Sequence, residues 1–223
     1  MSELTLIIPA KNESECLPVV LQEIKDHDVK IKVLLHKEDF LTINSIKNEN
    51  CEIIYQNNRG YGDALIQGIN LTDTKYFCIF NADGSFDPSY LNNMYEALEK
   101  DNVDFIFCSR YEINGGSDDD TFLTYIGNKI FTFLCNILFR LNISDVLYTY
   151  VMGKSEKYKS LDLKSNDFSF CIELPIKAKF NDFILSSTPS YERSRIAGIK
   201  KVNEFRDGFL ILISILRMLI IRK

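Results

Sequence analysis

The segment Asn81-Ala82-Asp83-Gly84-Ser85-Phe86-Asp87 carries the most distinctive chemistry of the chain. It follows the apolar run from Tyr76 to Phe80 and holds two carboxylates and an amide oxygen. Oxygen ligands of this kind suit a hard divalent cation that also binds phosphate and water. The alternative is that Asp83 and Asp87 only form turns and cap the helix after Pro88. The segment therefore predicts either a metal and phosphate site or an ordinary strand-to-helix turn.

Three further polar segments also follow apolar runs: Pro9-Ala10-Lys11-Asn12-Glu13, Asn57-Asn58-Arg59-Gly60-Tyr61-Gly62-Asp63, and Ser109-Arg110-Tyr111. In an open α/β sheet, ligands collect at the carboxyl ends of the strands, so these segments are candidates for one shared site. The second segment leads into a helix N-terminus, which suits a diphosphate. Taken singly, an ordinary turn and a surface salt bridge are the alternatives.

The C-terminal region combines positive charge with an apolar run. The run from Phe209 to Ile221 is shorter than the roughly 20 residues that cross a bilayer. It predicts a helix lying on an anionic membrane surface, and an ordinary packed helix is the alternative. The apolar stretch from Thr121 to Leu141 is interrupted by polar residues and also predicts a surface-lying helix. From Arg193 onward the basic residues are Arg193, Arg195, Lys200, Lys201, Arg206, Arg217, Arg222 and Lys223, against two acids.

The apolar runs that position these segments alternate with helical patterns. Residues Leu4 to Ile8 are continuously apolar, as in a buried parallel strand, and helical spacing follows from Glu15 to Lys25. The same alternation continues to the strand from Val103 to Cys108, which predicts an α/β fold with a doubly wound sheet. We expect one domain at 223 residues. The segment from Asn114 to Asp120 has no apolar residue and predicts a mobile loop.

Composition excludes several classes of protein. The net charge is −5, so no overall basic field gathers nucleic acid, and we expect no nucleic-acid partner. Six cysteines are scattered singly, without the pairing of a zinc site or a disulfide framework, which favours a reducing cytoplasm. The two histidines, His27 and His36, are far apart in sequence and predict surface or loop positions.

In their order and spacing, Ile7-Ile8-Pro9-Ala10-Lys11-Asn12-Glu13, Gly60-Tyr61-Gly62-Asp63-Ala64, Asn81 to Pro88 and Ser109-Arg110-Tyr111 resemble the family-two glycosyltransferases of GT-A fold. The later residues Ser144-Asp145, Glu173 and Arg195-Ile196-Ala197-Gly198-Ile199-Lys200-Lys201 are similar to the dolichyl-phosphate mannosyltransferase subgroup. The resemblance implies a Rossmann-like fold for nucleotide-diphospho-sugar transfer, with a mostly parallel sheet and a C-terminal amphipathic helix. It further implies a nucleotide-sugar half (1–112), an acceptor-side half (113–203) and a membrane-surface helix (204–223).

The resemblance also implies a role for single residues. Asp83 and Asn81 would hold Mg²⁺ or Mn²⁺, and Arg110, Arg195 and Lys201 would bind the acceptor phosphate; together with Asp83, these three cations form the expected catalytic set. The implied reaction is inverting transfer from a GDP- or UDP-linked sugar to a polyprenyl phosphate, at the inner face of a membrane. The implied nucleotide-sugar ligands are Pro9, Ala10, Glu13, Arg59, Gly60, Asp63, Asn81, Ala82 and Asp83.

Three departures from the family pattern leave alternatives open. The second predicted strand ends in Leu35-His36-Lys37-Glu38-Asp39 where the family usually has Asp-Asp-Gly-Ser, so the nucleotide is not identified. Asn81 stands where the first Asp of the metal-binding loop usually stands, and Val146 to Tyr150 lacks the usual Gly-Phe-Arg pattern. A transferase with a glycan or small phosphorylated acceptor, and a non-catalytic nucleotide-sugar-binding protein, are the alternative functions. A membrane-protein partner and a homo-oligomer both stay open.

Overall fold

The computed structural model of the chain describes residues 1–100, 102–198 and 201–221. Lys200, Arg222 and Lys223, which belong to the basic C-terminal group, lie outside these residues, as does Ile199. The elements are, in chain order, β1 (Leu4–Pro9), α1 (Leu17–Ile24), β2 (Lys30–Leu35), α2 (Phe40–Ile46), β3 (Glu52–Tyr55), α3 (Tyr61–Asn70), β4 (Tyr76–Ile79), α4 (Tyr90–Lys100), β5 (Phe105–Ser109), β6 (Gly116–Ser117), α5 (Phe122–Phe139), β7 (Val151–Lys154), α6 (Ser155–Lys159), α7 (Phe170–Phe180), β8 (Leu185–Pro189), β9 (Tyr191–Glu192) and α8 (Glu204–Ile221).

Seven strands form one sheet in the order β3-β2-β1-β4-β7-β5-β8. All neighbours in this sheet are parallel except β7, which runs antiparallel to both β4 and β5. The predicted α/β class with a mostly parallel sheet is therefore confirmed. Because the parallel strands point the same way, the segments that follow β1, β2, β3, β4 and β5 all emerge at one edge.

Alternate residues of β1 pack on opposite faces of the sheet. Ile7 belongs to a core that includes residues of α3, α5 and α7, while Leu6 and Ile8 belong to a core that includes residues of α1 and α4. All three side chains are fully buried. A strand covered on both faces reads as a continuous apolar run, which explains the pattern from Leu4 to Ile8.

The segment from Asn114 to Asp120 is paired with another part of the chain, in place of the mobile loop that its composition predicts. Its strand β6 lies parallel to β9, and the backbone N–H groups of Gly116 and Asp118 donate to Ser190 and Glu192. The sequence gave no sign of this pairing because both strands have only two residues. This small second sheet brings Asp119 and Asp120 over the edge of the main sheet.

Helices α5 and α8 pack against each other and against α7. In α8 the side chains of Ile211, Ile215 and Met218 are buried, which is the spacing of one helix face. Within the described residues, α5 is the one helix long and apolar enough to span a membrane by length and composition, although only 17% of it is buried. Both helices therefore combine a packed face with an exposed apolar one.

Candidate functional site

A cavity of about 880 Å³ lies along the carboxyl edge of the sheet. Its floor consists of the segments that follow β1 to β5, and the segment from Asp119 to Asn128, Glu192 to Val202 and the start of α8 enclose it. Eleven of the twelve predicted site residues line this cavity: Pro9, Ala10, Glu13, Arg59, Gly60, Asn81, Ala82, Asp83, Arg110, Arg195 and Lys201. The fold thus gathers residues that are nearly 200 positions apart in sequence.

The loop after β4 presents Asp83 to the cavity. Its Oδ1 accepts hydrogen bonds from the Ser85 backbone N–H at 3.1 Å and from Ser85 Oγ at 2.8 Å. Its Oδ2 lies 3.6 Å from Arg195 Nη1. Asn81 uses its amide nitrogen to contact Ser85 Oγ at 3.2 Å, so its amide oxygen takes no part in that contact. By contrast, Asp87 Oδ1 accepts from the Ser89 N–H ahead of α4, which is the turn-forming role.

The segment from Arg193 to Gly198 is joined to this loop by backbone hydrogen bonds. The N–H groups of Arg193 and Ile196 donate to the carbonyls of Ser85 and Asp83, each at 2.9 Å. Gly84 has a φ of +82°, and a Cβ there would meet the Ile196 side chain at 2.4 Å. Glycine is therefore required at this position both for its backbone conformation and for the close approach of the two segments.

Two cations from the C-terminal third lie among the carboxylates of the cavity. Arg195 pairs with Asp119 at 3.0 Å as well as facing Asp83, and Lys201 Nζ lies 3.3 Å from Glu13 Oε1. Burial raises the pKa of Glu13 above its usual value, and this outweighs the opposing effect of Lys201. The side chains that an incoming anion would contact are therefore already held in place by carboxylates.

Arg110 occupies a different environment from the one expected of a phosphate ligand. Its guanidinium binds Asp145 through two hydrogen bonds, of 2.7 and 3.1 Å, and also contacts Asp120 and Glu192. The ring of Tyr148 lies 4.6 Å from its guanidinium carbon. An acceptor phosphate would meet three carboxylates here, so the prediction that Arg110 binds this phosphate does not fit the geometry. We assign it the role of holding these acidic residues together.

Asp63 is the one predicted site residue that does not line the cavity. Its carboxylate accepts hydrogen bonds from the backbone and side-chain nitrogens of Asn58 and so closes the turn before α3. The predicted contact of Asp63 with the nucleotide-sugar is therefore not supported. In the same turn, Gly60 has a φ of +134°, and a Cβ would lie 2.0 Å from the Asn166 carbonyl oxygen. Here glycine allows the turn to pass close to the segment before α7.

Several cavity residues were not identified from the sequence. Asp119 and Asp120 belong to the run Asp118-Asp119-Asp120, an acidic signal that was read only as loop composition. Glu192 also lines the cavity, and burial raises its pKa despite its pairing with Arg110. No local pattern marks Glu192, because its position depends on the pairing of β6 with β9.

Carboxylates outnumber cationic side chains in the lining of the cavity. The lining includes nine carboxylates, Glu13, Glu38, Asp39, Asp83, Asp119, Asp120, Asp167, Glu192 and Asp207, and six Lys or Arg residues, Lys11, Arg59, Arg110, Arg195, Lys201 and Arg206. Nevertheless, the described part of the chain contains no group of three or more His, Cys, Asp or Glu side chains arranged to hold a metal ion by themselves. A metal bound here would need ligands from another molecule.

An apolar surface adjoins the mouth of the cavity. Thr124 and Asn128 of α5 and Leu210 and Ile211 of α8 line the cavity. Outside it, each helix exposes a stripe of large apolar side chains at helical spacing, and we call the two stripes together the α5–α8 apolar surface. It comprises Phe122, Ile126, Ile130, Phe133 and Ile137 of α5 and Phe205, Phe209, Leu212, Leu216 and Ile220 of α8.

Comparisons with known proteins agree with this architecture. The model of the family described as "Glycosyl transferase family 2" matches residues 5–162. The fold is similar to that of glucosyl-3-phosphoglycerate synthase from Mycobacterium tuberculosis in complex with Mn²⁺, UDP and glucosyl-3-phosphoglycerate, with a TM-score of 0.76 and 14% identity over 96% of this chain and 79% of that one. It is also similar to that of mannosyl-3-phosphoglycerate synthase from Rubrobacter xylanophilus, with a TM-score of 0.69 and 16% identity over 98% and 73% of the two chains.

Proposed function

The chain belongs to glycosyl transferase family 2, and from this premise we propose that it transfers a sugar from a GDP- or UDP-linked donor to a polyprenyl phosphate at a membrane surface. The donor would occupy the cavity along the carboxyl edge of the sheet, and the acceptor would enter beside α5 and α8. The observation that carries this choice of acceptor is the α5–α8 apolar surface at the mouth of the cavity.

The proposed reaction is a single displacement at the anomeric carbon. An oxygen of the acceptor phosphate forms a bond to this carbon while the bond to the nucleoside diphosphate breaks and the diphosphate leaves with the electron pair. A phosphate monoester is already ionised near neutral pH, so the protein must mainly orient two anions and offset their repulsion. Arg195 and Lys201 are the cations placed for this task, since both line the cavity close to Asp83 and Glu13.

The donor set of the cavity fits a divalent cation, Mg²⁺ or Mn²⁺, that arrives with the nucleotide. Asp83 offers a carboxylate and Asn81 an amide oxygen, which agrees with the usual binding of Mg²⁺ through one or two carboxylates plus substrate phosphates. Such a cation stabilises the charge of the departing diphosphate. A lining with three more carboxylates than cations repels a free diphosphate, which is a second reason to expect a metal. The mycobacterial protein of similar fold was crystallised with either Mn²⁺ or Mg²⁺ together with UDP.

The lipid acceptor explains a surface that solubility alone would oppose. Phe133 is 63% exposed and Phe209 is 63% exposed, at the centres of two long helices that pack together. Contiguous exposed apolar patches of this kind mark interaction sites with membranes or proteins. Arg206 and Arg217 lie on α8 beside the apolar stripe, and such charges favour anionic headgroups. We therefore place the protein at the inner face of a membrane, where its six free thiols also stay reduced.

Transfer to a soluble phosphorylated acceptor is the second candidate. The mycobacterial synthase of similar fold was crystallised with phosphoglyceric acid. A small phosphate-bearing molecule would make the same demands on Arg195 and Lys201 as a lipid phosphate would. The third candidate is a nucleotide-sugar-binding protein without catalysis, because Asn81 replaces a charged metal ligand.

One assay separates the three candidates. Radiolabelled GDP- and UDP-sugars are incubated with the protein, Mg²⁺ or Mn²⁺, and either a polyprenyl phosphate or 3-phosphoglycerate, and the label is counted in the organic and aqueous phases. Metal-dependent label in the lipid supports the proposal, and label only in the phosphoglycerate product favours the second candidate. Nucleotide-sugar binding with no transfer to either acceptor favours the third. The Asp83→Ala variant is the matched negative control.

Membrane binding is tested separately by flotation with vesicles of phosphatidylcholine and phosphatidylglycerol in equal parts. The double variant Phe133→Glu and Phe209→Glu places charges on both exposed stripes, so we expect it to stay with the soluble fraction. The variant Leu41→Glu is the control, because Leu41 is 75% exposed on α2 and is not part of the apolar surface. Equal flotation of both variants would refute a membrane role for the surface.

A further inference from the structure

His36 is a cavity residue that the proposed roles do not yet use. It follows β2 directly, and its ring lines the cavity. Both ring nitrogens are buried and have no hydrogen-bond partner. Glu38 Oε2 lies 4.0 Å from Nδ1, just beyond hydrogen-bonding distance. Because buried polar atoms in folded proteins are nearly always paired, two unpaired nitrogens facing a cavity indicate a ligand that completes them.

The order of strands places His36 at a definite distance from the diphosphate site. The metal-binding loop follows β4, and β1 separates β4 from β2. Two strand spacings correspond to about 10 Å along the edge of the sheet. A ribose and base extend over a comparable distance from the diphosphate that carries them. A nucleotide with its diphosphate beside Asp83 therefore brings its base to His36 if it lies along the cavity towards β2.

The chemistry of the pair formed by His36 and Glu38 restricts the base. A neutral imidazole has one N–H donor and one acceptor nitrogen, and the partner of one nitrogen decides which role is left for the other. Glu38 can only accept when it is ionised, so a contact with Glu38 fixes the N–H on the facing nitrogen. The remaining nitrogen then accepts a hydrogen bond. Uracil and guanine offer a ring N–H to such an acceptor, whereas cytosine and adenine have an unprotonated ring nitrogen at the corresponding edge.

We propose that His36 determines the nucleobase specificity of the donor site, accepting a hydrogen bond from the ring N–H of uracil or guanine while Glu38 holds the imidazole in the required tautomer. This inference rests on the proposed function, because it assumes a nucleotide-linked donor in the cavity. It assigns a role to the segment Leu35 to Asp39, which departs from the family pattern.

The test is binding of UDP, GDP, CDP and ADP to the full chain in the presence of Mg²⁺, measured by isothermal titration calorimetry. The wild-type chain should bind UDP or GDP about tenfold more tightly than CDP and ADP, and His36→Leu should remove most of this preference by weakening the preferred nucleotide. His36→Gln should restore part of it, because an amide oxygen can accept the same hydrogen bond. His27→Leu is the matched control, since His27 does not line the cavity.

The outcomes separate this inference from the proposed function. A wild-type preference for CDP or ADP, or a His36→Leu variant that keeps the full preference for UDP or GDP, would overturn the role of His36 even if sugar transfer is observed. If His36→Leu does not fold, the ratio of affinities in His36→Gln decides between the same two results. Base discrimination that depends on His36 without transfer to any acceptor would support this inference and refute the proposed function. A chain that binds no nucleoside diphosphate would overturn both.

Discussion

Replacing Arg110 by methionine tests whether this residue organises the site or binds substrate. Methionine keeps the apolar length of the side chain but removes the charge, and Asp145 then loses the partner of a two-point ion pair. The Arg110 side chain is 8% exposed and that of Asp145 is 0% exposed, so water cannot replace the lost contact without rearrangement. Asp120 and Glu192, at 10% and 11% exposure, lose the same cation.

The expected cost follows from this burial. Removing one partner of a buried ion pair destabilises a protein by about 3–5 kcal/mol, because a charge is left uncompensated. For a chain of this length each kcal/mol lowers Tm by about 2–4 °C, so the variant should melt about 6–20 °C below the wild type. Neutralising Asp145 as well, in the double variant Arg110→Met with Asp145→Asn, should recover part of this loss.

The assay is thermal and urea unfolding followed by far-ultraviolet circular dichroism, since the chain has no tryptophan. Arg59→Met is the matched control. Arg59 also pairs with a glutamate, Glu38, but its side chain is 82% exposed, and such surface pairs contribute about 0–1 kcal/mol. The two variants change the same residue type and differ mainly in burial.

Two results would refute the reasoning. If Arg110→Met melts within about 2 °C of Arg59→Met, the buried cluster does not contribute what its geometry implies. If Arg110→Met keeps its stability but loses affinity for the acceptor phosphate alone, Arg110 is the phosphate ligand that the family resemblance suggested. Loss of stability with a smaller loss of transfer, recovered in part by Asp145→Asn, is the result expected of an organising residue.

Three further predictions concern metal binding, titration and packing. Asp83→Ala should abolish transfer and nucleotide-dependent Mn²⁺ binding, measured by electron paramagnetic resonance, while leaving Tm within about 2 °C, because it removes a metal ligand without opening a core cavity. Burial raises the pKa of Glu13 above 4.5, so the folded state binds this proton more tightly than the unfolded chain and the ionised form costs stability at higher pH. Glu13→Gln should therefore keep or raise Tm at about pH 7, lose this advantage at about pH 4, and still weaken nucleotide binding; a lower Tm at about pH 7 would contradict the dominance of burial. Ile215→Ala should cost about 2–5 kcal/mol in urea unfolding and Leu216→Ala less than about 1 kcal/mol, because their exposures are 1% and 53%; equal costs would show that the wrong face of α8 is taken as buried.

The sequence predicted much of the first half of the fold, because there the physical signals are local. The apolar run from Leu4 to Ile8 is confirmed as a strand buried on both faces. The expected strand over Tyr76 to Phe80 and helix over Thr121 to Leu141 appear as β4 (Tyr76–Ile79) and α5 (Phe122–Phe139). The expected 1–112, 113–203 and 204–223 regions stay a prediction, as do the roles of the residues that bind donor and acceptor.

Residue identity and position along the chain by themselves determined that polar segments follow successive strands, since a buried strand must be apolar and its end must turn into solvent. They could not determine the partners of those polar side chains. Arg110 reads as a free cation in sequence, and only the pairing of β6 with β9 and the buried position of Asp145 enclose it in carboxylates. In the same way, the contacts of Arg195 with Asp83 and of Lys201 with Glu13 join positions over 100 residues apart. Electrostatic partners depend on distance and burial in space, and both are properties of the tertiary structure alone.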